Sequence, residues 1–583
     1  MTGRRTRARR LAAALALAVV ATPAAGCVRL PEDGPVVAVE PGAAPSVQQG
    51  LNFDPPPPAP GADPDEVVAG FLLAMTAAPI RPSVAKEFLT DDAAESWRPT
   101  GTIVFDDVTR IEQPDRVDVH LSGAFRIDER GRWQGSLPAE ESTLRLPVVL
   151  EDGQWRIDSV PDALVVPDTY FGQRFVRAVV HWFDPTGQVL VPEPVFVPSG
   201  QTMTSALVRT LLLGPPPELR GVVRSYLPPG LRAAPVTISG GGSADIRFSG
   251  ELPTMSPDQV ERMVAQVAWT LRQVVDLDTF RITAGEQRVT LPGGAGDFWT
   301  GEGAEFDPVG GVASSDLFGL VRDRLAVLGP GGFAPVDGLV GRRATGWRSF
   351  AVEPGGSRVA GVDESGRSVV LAPVRSDDEP PVQVAQGAND LLKPSWDAAG
   401  GLWLVDASEA GALVMLAGGD APRRVEVPGV SGERVRRYLV SRDGSRLVAV
   451  VADRGRDRLV ASRVVRDDRG RVLELTRART VATGLQTDVR LRDVAWDTPT
   501  SVLVLFDTAG EVSQVRSVSL DGSAVTDLSA VSTLRGRMRG LVGSPDPADP
   551  AYAVGRGLLL GLDDAVPPPV PADLDPETLT WVG

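Results

Sequence analysis

Short apolar strands alternate with tight turns along the C-terminal half of the chain. The repeated segments are SFAVEPGGSRVAGV, KPSWDAAGGLWLVD, YLVSRDGSRLVAVV and DVAWDTPTSVLVLF. Their turns, at Gly355, Gly400, Gly444 and Pro499, are separated by 45, 44 and 55 residues. A strand-rich repeat of about 45 residues is typical of β-propeller blades, whereas a sandwich does not require turns at this spacing. The pattern therefore predicts that residues 315–583 form an all-β propeller of about six blades.

Strand and helix patterns alternate in the preceding region, between residues 171 and 290. The segment FVRAVVHWFDPTGQVLVPEPVFVPSG predicts two strands joined at DPTG, and the helix in TMTSALVRTLLL is expected to end at Gly214. A second helix is expected to begin at Ser256, because Gln259 gives the spacing of a capping box. Its apolar face consists of Val260, Met263, Val264, Val267, Leu271 and Val274. This region predicts an α+β domain.

Residues 63–170 predict another α+β domain. DPDEVVAGFLLAMTAA and PSVAKEFLTDDAAESW both read as helical, and RVDVHLSGAFRID, STLRLPVVLEDG and QWRIDSVP then read as strands. The order is similar to a cone-shaped fold of exported accessory domains. Residues 27–62 are rich in proline and predict an extended tether, and residues 291–314 predict a linker.

The N-terminus has the pattern of an export signal. RRTRARR precedes the apolar run from Leu11 to Ala21, and small residues lead to Cys27, which is the only cysteine. As a helix this run spans about 16 Å, too short to cross a membrane, so residues 1–26 are predicted to be a signal peptide. The segment AAGC resembles a lipoprotein processing site, although Ala24 stands where leucine is usual. The resemblance implies that Cys27 carries N-palmitoyl and S-diacylglycerol groups; the alternative is ordinary cleavage near an incidental cysteine.

Charge and composition exclude several classes of function. The chain has 75 acidic and 59 basic residues and a net charge of −16, which argues against nucleic acid as a partner. The basic residues are almost all arginine, since the lysines are Lys86 and Lys393 alone. One cysteine excludes an internal disulfide and zinc sites of the CxxC type, and two histidines argue against histidine-rich metal sites. We therefore expect neither a cofactor nor a metal.

Candidate catalytic motifs are incomplete. Ser83 and Lys86 match the SxxK of penicillin-recognising enzymes, but the partner motifs of those enzymes do not occur. A Ser-His-Asp triad would need His120 or His181, and both lie in strand patterns without a GxSxG segment. The sequence therefore predicts no catalytic residues and a protein that is not an enzyme.

Residues 171–290 resemble the GerMN domain of sporulation and germination proteins, in LLLGPPPELRGVVRSYLPPG, ADIRFSG and VAQVAWTL. The order of signal, tether, α+β domain, GerMN-like domain and propeller is similar to the LpqB family of actinobacterial lipoproteins. The resemblance implies an accessory protein of the MtrA–MtrB two-component system, anchored by lipid on the extracytoplasmic face of the cell membrane. Its expected partner is the extracytoplasmic region of the MtrB-type sensor histidine kinase. An exported propeller hydrolase, or a lipoprotein that binds peptidoglycan or a solute from the cell wall, stays an alternative.

Overall fold

A computed structural model describes residues 53–583, apart from residues 310–313, 378, 419–420, 454–455, 484, 486–488, 509, 511, 524–530 and 563–577. The predicted signal peptide, Cys27 and most of the predicted tether lie outside the described residues. All described residues belong to one structural unit. No helix in the described part of the chain is both long and apolar enough to cross a membrane.

The first domain packs short helices against two four-stranded sheets. Its elements are α1 (Pro64–Ala74), α2 (Ser83–Lys86), α3 (Asp91–Ser96), β1 (Gly101–Phe105), β2 (Asp107–Glu112), β3 (Arg116–Ser122), β4 (Phe125–Ile127), β5 (Trp133–Ser136), β6 (Thr143–Glu151), β7 (Gln154–Ile157) and β8 (Ala163–Pro167). The sheet orders are β5-β4-β1-β8 and β2-β3-β6-β7. The sequence pattern predicted helix throughout PSVAKEFLTDDAAESW, but the chain between α2 and α3 is not helical. Phe88 and Thr90 instead form backbone hydrogen bonds with Ile157.

The second domain is built on a long hairpin. Its elements are α4 (Asp168–Arg174), β9 (Phe175–Phe183), β10 (Leu190–Pro198), α5 (Met203–Leu213), β11 (Arg232–Ala233), β12 (Ser243–Ser249), α6 (Pro257–Leu271), β13 (Thr279–Ala284), β14 (Gln287–Arg288) and β15 (Phe298–Trp299), with 3-10 turns at Gly200–Thr202, Pro217–Leu219 and Ala304–Phe306. The predicted turn lies between β9 and β10, where the Asp184 carboxylate accepts backbone hydrogen bonds from Thr186, Gln188 and Val189.

Helix α6 begins as expected but is buried more completely than expected. Ser256 and Gln259 form the predicted capping box. From Met263 to Leu271 every side chain is buried, including the polar Gln266 and Thr270. These two are tolerated because each accepts a backbone hydrogen bond, from Tyr226 and His181 respectively. Part of the expected linker also joins this domain, since β15 pairs with β13 and Phe298 is fully buried.

The remaining strands form the propeller. They are β16 (Leu317–Val321), β17 (Arg324–Gly329), β18 (Gly332–Pro335), β19 (Trp347–Val352), β20 (Arg358–Asp363), β21 (Ser368–Pro373), β22 (Val382–Gln386), β23 (Ser395–Trp396), β24 (Leu402–Asp406), β25 (Leu413–Ala417), β26 (Arg423–Arg424), β27 (Val435–Val440), β28 (Arg446–Asp453), β29 (Arg456–Arg466), β30 (Val472–Leu475), β31 (Arg479–Thr480), β32 (Leu491–Thr498), β33 (Ser501–Asp507), β34 (Val512–Ser519), β35 (Val531–Arg535), β36 (Gly540–Val542), β37 (Tyr552–Gly555), β38 (Leu558–Gly561) and β39 (Leu579–Trp581). One short helix, α7 (Leu339–Arg342), follows β18.

Within the described residues these strands form six antiparallel sheets in chain order. Strand β39 pairs with β16, so the first sheet contains strands from both ends of the segment. The repeated turns seen in the sequence each join the first and second strands of a sheet. Gly400 and Gly444 have φ values of 77° and 71°, which glycine adopts without steric strain.

The sheet that begins with β19 depends on a glycine. A Cβ atom at Gly361 would overlap the buried indole ring of Trp347. We expect Gly361→Ala to lower the free energy of unfolding by about 1–3 kcal/mol, because overpacking forces neighbouring groups apart. Urea unfolding of residues 52–583 measures this. Gly355→Ala is the control, since its Cβ would point into open space, and equal stability of the two variants would contradict the expectation.

Candidate functional site

One edge strand from each propeller sheet lies beside a central channel. Strands β39, β19, β23, β27, β32 and β36 each contact the next, and β36 contacts β39, so the ring is closed. A small cavity of about 90 Å³ lies on the channel axis and is lined by Tyr438, Val440, Trp496 and Trp581, among others. The middle of the channel is therefore narrow, and its lining mixes these residues with charged side chains such as Lys393 and Asp493.

Arg442 fills one end of the channel. It follows β27 and is buried, and its guanidinium donates hydrogen bonds of 2.9 Å to the Val309 carbonyl and 2.7 Å to the Val582 carbonyl. Burial lowers the pKa of Arg442, while the carboxylates of Asp549, Asp546 and Asp307 act in the opposite direction. Arg442 thus joins the chain before the propeller to the strand that completes its first sheet.

A buried ion-pair cluster connects the second domain to the propeller at the same end. Glu193 of β10 lies 2.7 Å from Arg446 and 2.6 Å from Arg463, and the Glu193 and Arg446 side chains are 4% and 3% exposed. Arg446 also pairs with Asp443 at 3.4 Å. Burial alone would raise the pKa of Glu193, but the charges of Arg463 and Arg446 outweigh it and hold the pKa below its ordinary value.

These contacts define two different ends of the channel. Arg442 and Arg446 belong to the turn and strand that follow β27, and both contact residues from before the propeller. Strand β27 runs along the channel, and the turn that contains Arg442 follows its last residue. The first residue of β27 therefore lies at the opposite end of the channel. One end of the channel is therefore occupied by Arg442 and its partners. The opposite end, the second mouth, faces away from the contact with the second domain.

The second mouth is strongly basic. We define the basic mouth as the arginines that line its cavity of about 1200 Å³, namely Arg434, Arg436, Arg437, Arg490, Arg492 and Arg539. They lie at the starts of β27, β32 and β36. Three carboxylates, Asp390, Glu409 and Asp507, also line the cavity. A local excess of positive charge in a chain with a net charge of −16 marks this mouth as a candidate binding site.

Three strands at this end begin with a β-bulge that contains arginine. The register skips Arg348 in β19, Arg436 in β27 and Arg492 in β32. A bulge changes the direction of a side chain and is common beside functional sites. The three bulged arginines pair with Asp390, Asp457 and Asp507. The repeated bulge therefore places guanidinium groups from three blades around one rim of the channel.

The residues that the sequence singled out for catalysis are not brought together. Ser83 and Lys86 lie in α2 of the first domain, where Lys86 Nζ donates a 2.5 Å hydrogen bond to the Ala94 carbonyl. His120 is exposed on β3 and lies 2.9 Å from Thr143 Oγ1. His181 lies in β9 of the second domain against Trp269. Cys27 lies outside the described residues.

His181 is a poor base in this environment. Burial, and then the charge of Arg272, lowers the pKa of His181 to about 3. The folded state therefore favours the neutral ring, so the contribution of this group to stability is complete above the ordinary pKa of 6.5 and is lost as the pH falls toward 3. NMR of labelled histidine should show no titration of His181 between about pH 5 and pH 8. The variant His120→Gln leaves one signal to follow, and a midpoint inside that range would contradict the expectation.

Three known protein-family models match successive segments of the chain, in the same order as the three domains described above. A model of the LpqB lipoprotein N-terminal domain matches residues 57–172, a model described as sporulation and spore germination matches residues 179–290, and a model of the LpqB β-propeller domain matches residues 321–549.

Similar proteins share most of the length of the chain. Lipoprotein LpqB of Cutibacterium acnes is 28% identical over 531 residues, covering 86% of this chain and 88% of that protein. Lipoprotein LpqB of Streptomyces coelicolor is 28% identical over 613 residues, covering 96% of both. The tandem GerMN domains of the sporulation protein GerM from Bacillus subtilis are 17% identical, cover 26% of this chain and 58% of that one, and have a TM-score of 0.19. Three domain models in the family's order, together with relatives along most of its length, identify the chain as a member of the LpqB lipoprotein family.

Proposed function

We propose that this chain is a non-enzymatic accessory lipoprotein held on the extracytoplasmic face of the cell membrane. Residues 1–26 direct export, and Cys27 carries the N-palmitoyl and S-diacylglycerol groups that anchor the chain. The naming of its relatives as lipoproteins supports this. Several acyl chains hold a protein at a membrane far more firmly than the marginal affinity of one chain.

We further propose that it acts by binding the extracytoplasmic region of an MtrB-type sensor histidine kinase and so adjusts cell-envelope homeostasis. The resemblance to the LpqB family suggests the partner. The observation that carries a binding role is the contrast between the two ends of the propeller channel. One end is fixed to the second domain by Glu193, Arg446 and Arg463, and the other presents the basic mouth.

A pull-down tests this proposal. Residues 52–583, which form one structural unit, are immobilised and mixed with the purified extracytoplasmic region of the MtrB-type kinase from the same bacterium. Saturable capture is the expected result, and the extracytoplasmic region of an unrelated sensor kinase is the control. Absence of capture, together with turnover of a glycan from the cell wall, would contradict the proposal and favour the hydrolase.

A further inference from the structure

We propose that the basic mouth of the propeller binds an extended, acidic segment of a partner protein. The site is inferred from the structure itself, and only the identity of the protein that supplies the segment rests on the proposed function.

The mouth contains positive charge that the described residues do not neutralise. Arg436, Arg437 and Arg492 pair with Asp457, Asp493 and Asp507. By contrast, Arg434 and Arg490 are exposed, and their side chains make neither an ion pair nor a hydrogen bond with the described residues. These two guanidinium groups are available to an external anion.

Lysine is rare throughout the chain, so the presence of arginine in place of lysine at the mouth has no special meaning. The inference depends on where these cations lie. Six arginines and three carboxylates line one cavity of about 1200 Å³. An open cavity of this volume is larger than most pockets for small molecules, and an excess of one sign of charge in a cleft concentrates its field. An anion that enters it meets several donors at once.

Most arginines of the mouth come from two neighbouring strands of the ring, β27 and β32. Arg434 and Arg436 are two residues apart at the start of β27, and Arg490 and Arg492 are two residues apart at the start of the neighbouring β32. An extended segment spans about 3.3 Å per residue against about 1.5 Å for a helix, so a short acidic strand that crosses the mouth reaches guanidinium groups beside both β27 and β32.

The carboxylates of the mouth favour a peptide over a phosphate polymer. Asp390, Glu409 and Asp507 line the same cavity as the arginines. Carboxylate oxygens accept hydrogen bonds, and a peptide supplies N–H donors between its acidic side chains. A polyphosphate has no such donors, and it would be repelled by Glu409, whose carboxylate forms no ion pair with the described residues. The mixed lining therefore matches a polypeptide that is acidic but carries backbone donors.

Fluorescence anisotropy with a synthetic peptide of alternating glutamate and serine, about ten residues long, tests the site. The test variant is Arg434→Glu with Arg490→Glu in residues 52–583. The control is Arg209→Glu with Arg232→Glu, which makes the same change in charge at exposed positions of the second domain. We expect the test variant to bind at least about tenfold more weakly, because charge-assisted contacts are lost, while the control binds as the unsubstituted chain does. Affinity should also fall as salt is added.

Several outcomes would overturn the site. The first is that the acidic peptide does not bind. The second is that the test and control variants bind it equally while both keep the unfolding midpoint of the unsubstituted chain. The third is that a glutamine–serine peptide binds as well as the acidic peptide, or that polyphosphate binds more tightly.

Kinase capture separates this inference from the proposed function. Equal capture of the kinase region by the unsubstituted chain and the test variant would refute the mouth as the kinase contact and leave the accessory role standing. Peptide binding at the mouth without any capture of the kinase region would support the site and refute the partner.

Discussion

Replacement of Glu193 by glutamine is expected to lower the free energy of unfolding by about 3–5 kcal/mol, because it leaves a buried charge without its partner. Arg446 is 3% exposed, and among the described residues Asp443, at 3.4 Å, is the ion-pair partner it would retain. Arg463 would lose both of its hydrogen bonds to a charged acceptor. The second domain should then separate more readily from the propeller.

Urea unfolding of residues 52–583 measures the loss, and limited proteolysis between the second domain and the propeller reports the separation. Glu218→Gln is the control, because Glu218 pairs with Arg132 in a partly exposed position, where such a pair is worth only about 0–1 kcal/mol. Equal effects of the two substitutions would contradict the importance of burial at Glu193.

The effect of Glu193 should depend on pH in one direction. Its pKa in the folded state lies below the ordinary value of 4.5 because of Arg463 and Arg446, which outweigh the effect of burial. Its contribution to stability is therefore complete above pH 4.5 and is lost as the pH falls through the folded-state pKa. The difference between the unsubstituted chain and Glu193→Gln should be constant near neutral pH and shrink in acid; a difference that grows in acid would contradict this sign.

Replacement of Cys27 by serine is expected to abolish lipid attachment at this position. Serine offers no thiol for the diacylglyceryl group, so the chain should be released after export or remain as an unprocessed precursor. Fractionation of cells and the mass of the N-terminal peptide measure the result. Ala24→Leu is the control, because it brings the signal closer to the usual pattern and should keep the anchor. A Cys27→Ser protein that stays in the membrane fraction after losing residues 1–26 would contradict the assignment.

Local signals in the sequence predicted those parts of the fold that depend on backbone geometry. Gly400 and Gly444 indicated the propeller turns because each allows a positive φ. Ser256 and Gln259 indicated the start of α6 because capping requires these residue types at this spacing.

Features that depend on contacts between distant segments were not predicted. Glu193 lies in an apolar strand pattern, and its partners are more than 250 residues away. Strand β15 has two residues and therefore no periodicity. The basic mouth did leave a local signal that the sequence interpretation missed, since Arg-x-Arg occurs at the start of both β27 and β32. Only the fold shows that these two segments are neighbours around one channel.

The pairing of β39 with β16 has a consequence for the order in which the propeller assembles. Strands Leu317–Val321 and Leu579–Trp581 are adjacent in the first sheet although the whole propeller sequence separates them. Such non-local pairing is slow to form, and an unpaired strand edge is a template for pairing with other chains. Until residues near 580 are available, β16 presents such an edge. The incomplete propeller is thus most prone to aggregation in the interval before β39 is in place.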